Sequence, residues 1–260
     1  MLVQFFDWGK PENVTTSISE INVGAKVVVQ HKWGMFIGDV VMEKNGGNLS
    51  GEVVGQVIRK ALAQDLELAL KNKKTEQALK NSIKKIVKNA GLIMKIVEVK
   101  LSIDGGCVIV IFTADSRVDF RDLVKTLSAD LGKSVRFQQV GSRDEAKKLG
   151  GFGICGRELC CCKFSRGLKS ITTEMARSQK IAHRGSDRLS GLCGRLMCCL
   201  SYESEQYEEL NRNMPERDDV GIYDGNEVKV ADTMVLEQKI KIVLSDGTRK
   251  TIKLEEINFS

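Results

Sequence analysis

The hydrophobic positions change their period several times along the chain, and each change predicts a different element. Near the N-terminus, β-branched residues gather in two short runs, Val23–Gln30 and Met35–Met42, on either side of Lys32-Trp33-Gly34. Short apolar runs bounded by turn residues are typical of β-hairpins, and Asn45-Gly46-Gly47-Asn48 adds a further turn signal. We therefore predict a small, barrel-like set of hairpins for residues 1–60.

The next segment changes to a helical period. Apolar residues recur three and four positions apart, at Leu62, Leu66, Ala69, Leu70, Leu79, Ile83, Ile86 and Val87. The opposite face carries lysines: Lys71, Lys73, Lys74, Lys80, Lys84, Lys85 and Lys88. We predict helices arranged as a hairpin, ending before Gly91, which suits a helix C-terminus.

Beyond Gly91 the period becomes two. Met94–Ile103 and Cys107–Phe112 read as strands joined by an Asp-Gly-Gly turn. Phe120–Leu131 reads as an amphipathic helix started by Asp119, and Ser134–Val140 as a further strand. The order α-β-β-α-β predicts a sandwich with helices on one face of a sheet, in which Cys107 is a core residue.

The rest of the chain divides into two further segments. Residues 141–215 are rich in Gly and Cys and predict loops and short helices without a large apolar core. Residues 216–260 return to strand patterns and predict a second small β-barrel. We thus expect an α+β protein with four segments: 1–60, 61–140, 141–215 and 216–260.

Composition narrows the class without deciding it. The 260 residues are 42% hydrophobic and 28% charged, with a net charge of +6, which is ordinary for a globular protein. No apolar run reaches membrane-spanning length, and no signal peptide is evident. We therefore expect no membrane insertion and a cytoplasmic location, where cysteines stay reduced and clusters of them bind metals or serve redox chemistry.

The strongest chemical signal is a duplicated cysteine block. Gly-Ile-Cys-Gly-Arg-Glu-Leu-Cys-Cys at 153–161 returns as Gly-Leu-Cys-Gly-Arg-Leu-Met-Cys-Cys at 191–199, and seven of the eight cysteines belong to these blocks when Cys162 is counted. Two copies of one thiol-rich pattern predict two halves of one metal site. Buried packing and redox-switching thiols are the alternatives.

Zinc and an iron–sulfur cluster both remain open at this point. Adjacent cysteines point apart and rarely bind one small ion together. The simplest closed zinc site therefore takes one cysteine from each pair and the two leading ones, with Cys161 and Cys199 facing elsewhere; its ligands are Cys155, Cys160, Cys193 and Cys198. A larger iron–sulfur cluster fits somewhat better, because it can draw thiolates from more than one chain.

Residues beside the cysteines suit such a cluster. Backbone amides at the glycines, including Gly156 and Gly194, are candidate donors to bridging sulfides. Arg157 and Arg195 follow them and are candidates to offset the charge of four thiolates. His183 lies between the blocks as a weak alternative ligand, and His31 has no assigned role.

Three stretches make the chain resemble the PSP C-terminal domain family. They are Phe112–Leu123, Gly141–Gly151 and Ser190–Leu200, the last followed by Tyr202-Glu203, and Val57–Ala61 also matches. Cys162-Lys163 and Ala182-His183-Arg184 depart from the family pattern, so the roles of Cys162 and His183 are left open here.

This resemblance implies a non-enzymatic, cytosolic regulatory protein linked to sporulation in spore-forming bacteria. It implies a complex with two small helical proteins, RicA-like and RicF-like, that directs mRNA processing by RNase Y. It also implies [4Fe–4S] clusters held by cysteines shared among subunits. Carried over by position, the candidate ligands are Cys155, Cys160, Cys161, Cys193, Cys198 and Cys199.

The sequence also bears on two other function classes. No nucleophile elbow, phosphate-binding loop or zinc-protease motif occurs in the sequence, so we expect no enzyme. A zinc-stabilised nucleic-acid-binding module is the alternative, since basic residues could follow an RNA backbone. The candidate contacts for RNA or for a partner are Lys80, Lys84, Lys88, Arg143 and Lys147.

Overall fold

A computed structural model describes residues 1–18, 20–42, 52–164 and 170–259. The turn predicted at Asn45-Gly46-Gly47-Asn48 lies outside the described residues. The chain divides into two compact units, Met1–Gly150 and Gly151–Ser260, which we call unit 1 and unit 2. No described helix is long and apolar enough to cross a membrane.

Unit 1 contains eight strands and three helices among its described residues. The strands are β1 Leu2–Gln4, β2 Glu12–Thr15, β3 Lys26–His31, β4 Gly34–Met42, β5 Val53–Lys60, β6 Lys95–Leu101, β7 Cys107–Thr113 and β8 Ser134–Gln139. The helices are α1 Ala63–Asn89, α2 Arg121–Leu131 and α3 Ser142–Leu149.

Unit 2 contains short helices followed by a sheet. Its helices are α4 Cys160–Lys163, α5 Thr173–Ser178, α6 Ser186–Leu189 and α7 Cys198–Asn211. Its strands are β9 Val220–Tyr223, β10 Asn226–Met234, β11 Lys239–Val243 and β12 Arg249–Lys253.

The first five strands close into a barrel in the order β1-β2-β5-β3-β4, because β1 also pairs with β4. Two glycines allow the strands to approach. A Cβ on Gly38 would lie 2.2 Å from Val3 Cγ1, and a Cβ on Gly55 would lie 2.3 Å from the Gln30 carbonyl oxygen. The barrel-like N-terminal segment predicted from hairpin patterns is confirmed.

Strand β7 is the centre of unit 1. It pairs with antiparallel β6 on one side and parallel β8 on the other. Cys107, Ile109 and Ile111 belong to the barrel core. Val108, Val110 and Phe112 instead pack with residues of α1 and α2. Because both faces of β7 are covered, its apolar run is continuous instead of alternating.

Helix α1 protects the outer edge of β6. Glu76 Oε1 accepts a hydrogen bond from the backbone N–H of Leu101 at 2.8 Å, and Lys80 Nζ donates to the carbonyl oxygen of Val97 at 2.6 Å. Burial raises the pKa of Glu76 above its ordinary value. An edge strand needs such partners for its free backbone groups. The helix therefore completes the sheet as well as covering it.

The order α-β-β-α-β is confirmed, with two corrections elsewhere. The helical hairpin expected after residue 60 is one continuous helix, α1. The C-terminal β-rich segment is present, but its strands form a four-stranded antiparallel sheet in the order β12-β11-β10-β9 instead of the predicted barrel. Two backbone hydrogen bonds join Ile222 of β9 to Asn258, which follows β12. The sheet buries one apolar cluster, built from Val228, Ile240, Ile242, Ile252 and Ile257.

Candidate metal centre

The two cysteine blocks of unit 2 fold into the same backbone structure. In the first, the Gly153 amide donates to the Arg157 carbonyl at 2.8 Å, and the Gly156 amide donates to the Gly153 carbonyl at 3.0 Å. In the second, the Gly191 amide donates to the Arg195 carbonyl at 2.8 Å, and the Gly194 amide donates to Gly191 at 2.9 Å. We call these turns the first and second knuckles.

Each knuckle depends on one glycine in a left-handed conformation. Gly156 has a φ of +75° and Gly194 a φ of +73°, a region that costs other residues free energy. An isolated bridge closes each knuckle, between Phe152 and Glu158 in the first and between Ser190 and Leu196 in the second. The repeated Cys-Gly-Arg sequence is therefore explained by a repeated turn.

Each knuckle leads into a helix that begins at its vicinal cysteines. Helix α4 begins at Cys160 and helix α7 at Cys198. The two helices pack against each other, and the Phe164 and Tyr202 rings lie 5.1 Å apart. A small core beneath contains Ala176, Leu189 and Leu200. The helical packing brings the thiols of the two blocks together.

The raised pKa values of Cys161 and Cys199 reflect the proximity of the two blocks. Burial, together with smaller contributions from the neighbouring thiols Cys162, Cys198 and Cys193, raises the pKa of Cys161 to about 11. Burial also raises the pKa of Cys199, with Glu203 and Cys160 adding to the effect. Thiols of one block thus repel those of the other when charged, and a bound cation would relieve this repulsion.

The six candidate ligands are not equivalent. Cys161 is buried, Cys155 is exposed, and Cys160, Cys193, Cys198 and Cys199 are partly buried. The electrostatic neighbours across the blocks are Cys161 with Cys193 and Cys198, and Cys160 with Cys199. Cys161 and Cys199 each have a thiol of the other block as an electrostatic neighbour, which gives no support to the expectation that they face elsewhere.

The donor chemistry fits a thiophilic group such as zinc or an iron–sulfur cluster. Thiols of the two knuckles influence one another across the blocks, and at each left-handed glycine the backbone turns sharply beside the leading cysteine. Among the described residues, no set of three or more His, Cys, Asp or Glu side chains is already gathered around a single metal-sized position.

Arg157 and Arg195 lie exposed beside the leading cysteines, and Gly156 and Gly194 are exposed as well. Cys162 is partly buried and contacts Cys161. His183 is exposed in a short 3₁₀ turn. Each arginine thus follows a leading cysteine on an exposed turn, whereas His183 lies outside both knuckles.

The candidate nucleic-acid contacts belong to unit 1 and divide into two groups. Lys84 and Lys88 are exposed on α1. Lys80 is committed to the edge of β6, and burial lowers its pKa. Arg143 and Lys147 are half-buried on α3. The prediction of Lys80 as a surface contact is therefore wrong, because its ammonium group serves the fold.

Sequence reasoning missed an aromatic cluster around His31. This buried ring lies 4.8 Å from Trp33, 5.5 Å from Phe5 and 6.0 Å from Phe36, measured between ring centroids. Its Nδ1 accepts a hydrogen bond from the Trp33 amide at 3.3 Å. The distant position of Phe5 in the chain concealed this role, which is structural.

Comparison with known sequences now places the chain. Residues 55–140 match the PSP1 C-terminal conserved region, and residues 170–214 match the third domain of PSP1-like proteins. The stage 0 sporulation protein YaaT of Bacillus subtilis (strain 168) is 37% identical over 220 residues, which cover 84% of this chain and 80% of that protein. The chain belongs to the PSP1 family.

The PSP1 matches follow the architecture. The conserved C-terminal region of PSP1 runs from within β5 to just after β8, so it contains α1 and the three-stranded sheet. The third PSP1-like domain contains α5, α6, the second knuckle and α7. The first knuckle lies between the two matched regions. No solved structure matches this PSP1 chain.

Proposed function

We propose that this chain is a non-enzymatic, cytoplasmic regulatory protein of the RicT type. In this proposal it assembles with small helical proteins resembling RicA and RicF, and the complex directs mRNA processing by RNase Y. The membership of the PSP1 family supports the regulatory part, and the name of the Bacillus subtilis relative supports a link to sporulation.

The observation that carries the proposal is the convergence of the two knuckles. Thiols on α4 and α7 lie close enough to raise one another's pKa, and the same glycine turn precedes the vicinal cysteines of each block. We propose that the bound group is a [4Fe–4S] cluster, with zinc as the alternative. When bound, such a cluster supplies an oxygen-sensitive and redox-sensitive centre.

The chain's own residues have definable parts in this proposal. Cys155, Cys160, Cys161, Cys193, Cys198 and Cys199 are the candidate ligands. Arg157 and Arg195 offset the negative charge of the thiolates, and the Gly156 and Gly194 turns fix the leading cysteines. Metal binding needs thiolates, so loading the site releases the protons that burial holds on Cys161 and Cys199.

The test is elemental analysis with an absorption spectrum on protein prepared without oxygen, alone and with its co-purifying partners. We expect iron and sulfide, and Cys198→Ser to lose at least half of both. Cys107→Ala is the matched control, because Cys107 lies in β7 of unit 1. Zinc without iron would select the alternative metal, and neither metal in any preparation would refute the metal centre.

The regulatory part has its own test. Deletion of the gene should lead to accumulation of unprocessed RNase Y substrates, and the Cys198→Ser chain should fail to restore processing. Normal processing in the deletion strain would contradict this part and leave the metal assignment intact.

A zinc-stabilised nucleic-acid-binding module is the second candidate, favoured by the exposed lysines of α1. Binding through phosphates weakens steeply as salt is added. We expect this candidate to show RNA affinity that falls at least tenfold between 50 and 200 mM salt and that falls again in Lys84→Glu/Lys88→Glu. RNA affinity that is absent or independent of salt would remove it.

A further inference from the structure

Helix α1 carries a second face that the fold does not use. Its first face contains the buried residues Asp65, Ile83 and Val87. Leu66 and Leu70 lie four residues apart on a different face, and Leu62, the extended N-cap residue, precedes Leu66 by the same spacing. The exposed fractions of Leu62, Leu66 and Leu70 are 56%, 36% and 63%. Single exposed leucines are common on protein surfaces, but neighbouring exposed leucines at the start of one helix form an apolar strip.

The same row continues as a row of cations. Lys73 follows Leu70 by three positions, and Lys84 and Lys88 fall on the same face further along the helix. All three lysines are exposed, and none forms an ion pair with a residue that the structure describes. We call these six residues the α1 stripe: Leu62, Leu66, Leu70, Lys73, Lys84 and Lys88.

The stripe is long enough to match another helix. From residue 62 to residue 88 it extends about 39 Å at 1.5 Å per residue. Its first half is apolar and its second half is cationic. A partner that covers both halves needs apolar side chains at one end and carboxylates at the other, in the three-and-four spacing of a helix.

We propose that the α1 stripe docks an acidic amphipathic helix of a partner protein, with leucine-like side chains against Leu62–Leu70 and Asp or Glu side chains against Lys73, Lys84 and Lys88. The proposal deepens the function proposed above, on which it rests only for the existence of helical partners. An acidic helix is favoured because its carboxylates would be complementary in charge to the three lysines.

Two other occupants fit the stripe less well. A second copy of α1 would oppose lysines to lysines if parallel and lysines to leucines if antiparallel. RNA would pair with the lysines, but the leucines offer it neither stacking surfaces nor hydrogen bonds. Both occupants are distinguishable outcomes of the experiment.

The test places a photo-crosslinking amino acid at position 66, 70 or 84 of the full chain in its native host, with position 23 as the control. Val23 is 61% exposed in unit 1 and lies outside the stripe. We expect crosslinks from the stripe positions to a protein segment with helical apolar spacing and acidic residues. Crosslinks to RNA, to a second copy or to another segment of this chain overturn the proposal, as does labelling no stronger than at position 23.

Charge and apolar variants then measure the contact. Leu66→Glu/Leu70→Glu and Lys84→Glu/Lys88→Glu should each reduce the amount of crosslinked partner that co-purifies at least tenfold, while Val23→Glu leaves it unchanged. Far-ultraviolet circular dichroism should be the same for all variants. Partners retained by both stripe variants would refute the docking surface but not the proposed function. Loss of a helical partner from the stripe variants without any effect on RNA processing would support the docking surface and contradict the proposed function.

Discussion

Lys80 Nζ lies 2.6 Å from the carbonyl oxygen of Val97, on the outer edge of β6. A lysine in a basic helical row is usually a solvent contact, yet here the ammonium group serves a backbone acceptor. The register shift of β6 between Ile96 and Glu98 leaves Val97 as the residue without a partner in β7. The lysine supplies that partner from the helix.

This contact predicts different consequences for two neighbouring lysines. Lys80→Ala leaves a half-buried carbonyl without its donor and should lower the free energy of unfolding by about 1–2 kcal/mol. Lys84→Ala is the control, because Lys84 is exposed, and it should change stability by less than about 0.5 kcal/mol. Urea unfolding followed by tryptophan fluorescence measures both, since Trp8 and Trp33 belong to unit 1. Equal effects would contradict the structural role of Lys80.

Asp65 predicts a defined dependence of stability on pH. Hydrogen bonds from Arg59 and from the Leu62 amide lower the pKa of Asp65 to about 2. A carboxyl group that is more acidic in the folded chain stabilises the fold above its unfolded pKa of about 4, and this contribution is lost as the pH falls through about 2. Asp65→Asn should therefore cost about 1 kcal/mol at pH 7.

The difference between wild-type and Asp65→Asn stability should narrow between pH 4 and pH 2. Asp122→Asn is the control, since the Asp122 side chain is fully exposed, and it should follow the wild-type curve. A difference that stays constant down to pH 2 would contradict the ion pair as its cause.

The knuckle turns predict a contrast between two glycines in one block. Gly156→Ala forces alanine into a left-handed conformation and should destabilise unit 2 by about 1–2 kcal/mol. Gly153→Ala places its Cβ at an ordinary 3.5 Å from Cys155 Sγ and needs no positive φ. It should be tolerated. Near-ultraviolet circular dichroism of the tyrosines follows the unfolding, because Tyr202, Tyr207 and Tyr223 all lie in unit 2.

Gly194→Ala should reproduce the effect of Gly156→Ala, since each knuckle has the same pattern of backbone hydrogen bonds. If Gly153→Ala were as damaging as Gly156→Ala, backbone conformation would not be the reason for the repeated glycine.

The raised pKa of Cys161 predicts slow alkylation in the reduced, metal-free chain. With a pKa of about 11, about one thiol in a thousand is ionised at pH 8, and the thiolate is the reactive form. Cys155 is exposed and should react with iodoacetamide at least tenfold faster. The Cys161 rate itself should grow about tenfold per pH unit below pH 11.

Peptide mass spectrometry measures each rate in the same sample. Cys107 is an internal reference, since burial raises its pKa as well and it should also react slowly. Alkylation of Cys161 as fast as that of Cys155 at pH 8 would show that the two blocks do not bury this thiol.

Local periodicity was sufficient for most strands and for α2. The run predicted as Cys107–Phe112 is the strand Cys107–Thr113, and the helix predicted as Phe120–Leu131 is Arg121–Leu131. The polar stretch after Leu70 was misleading, because it suggested a break in a helix that continues. Glu76 and Lys80 anchor that stretch to β6, and contacts between distant segments leave no mark in a local pattern.

Only part of the candidate site could be predicted, because contacts between distant segments are not visible in a local sequence pattern. Duplication of the blocks indicated that they belong together, and their thiols do converge. The pairing across the blocks depends on where α4 and α7 begin relative to Cys160 and Cys198, which is a property of helix packing. The sequence spacing suggested Cys155, Cys160, Cys193 and Cys198 as neighbours. In the folded chain, Cys161 and Cys199 also have neighbours across the blocks.

The closed barrel and the helix-covered side of β6 have a consequence for how this molecule meets others. The closed barrel offers no free strand edge to which a strand of another protein could add. At the edge of β6, Glu76 and Lys80 already bond to the backbone. Among the strands described in unit 1, only β8 retains a margin for backbone pairing. Association through the barrel or past β6 must therefore rely on side-chain surfaces, which evolution can change one substitution at a time.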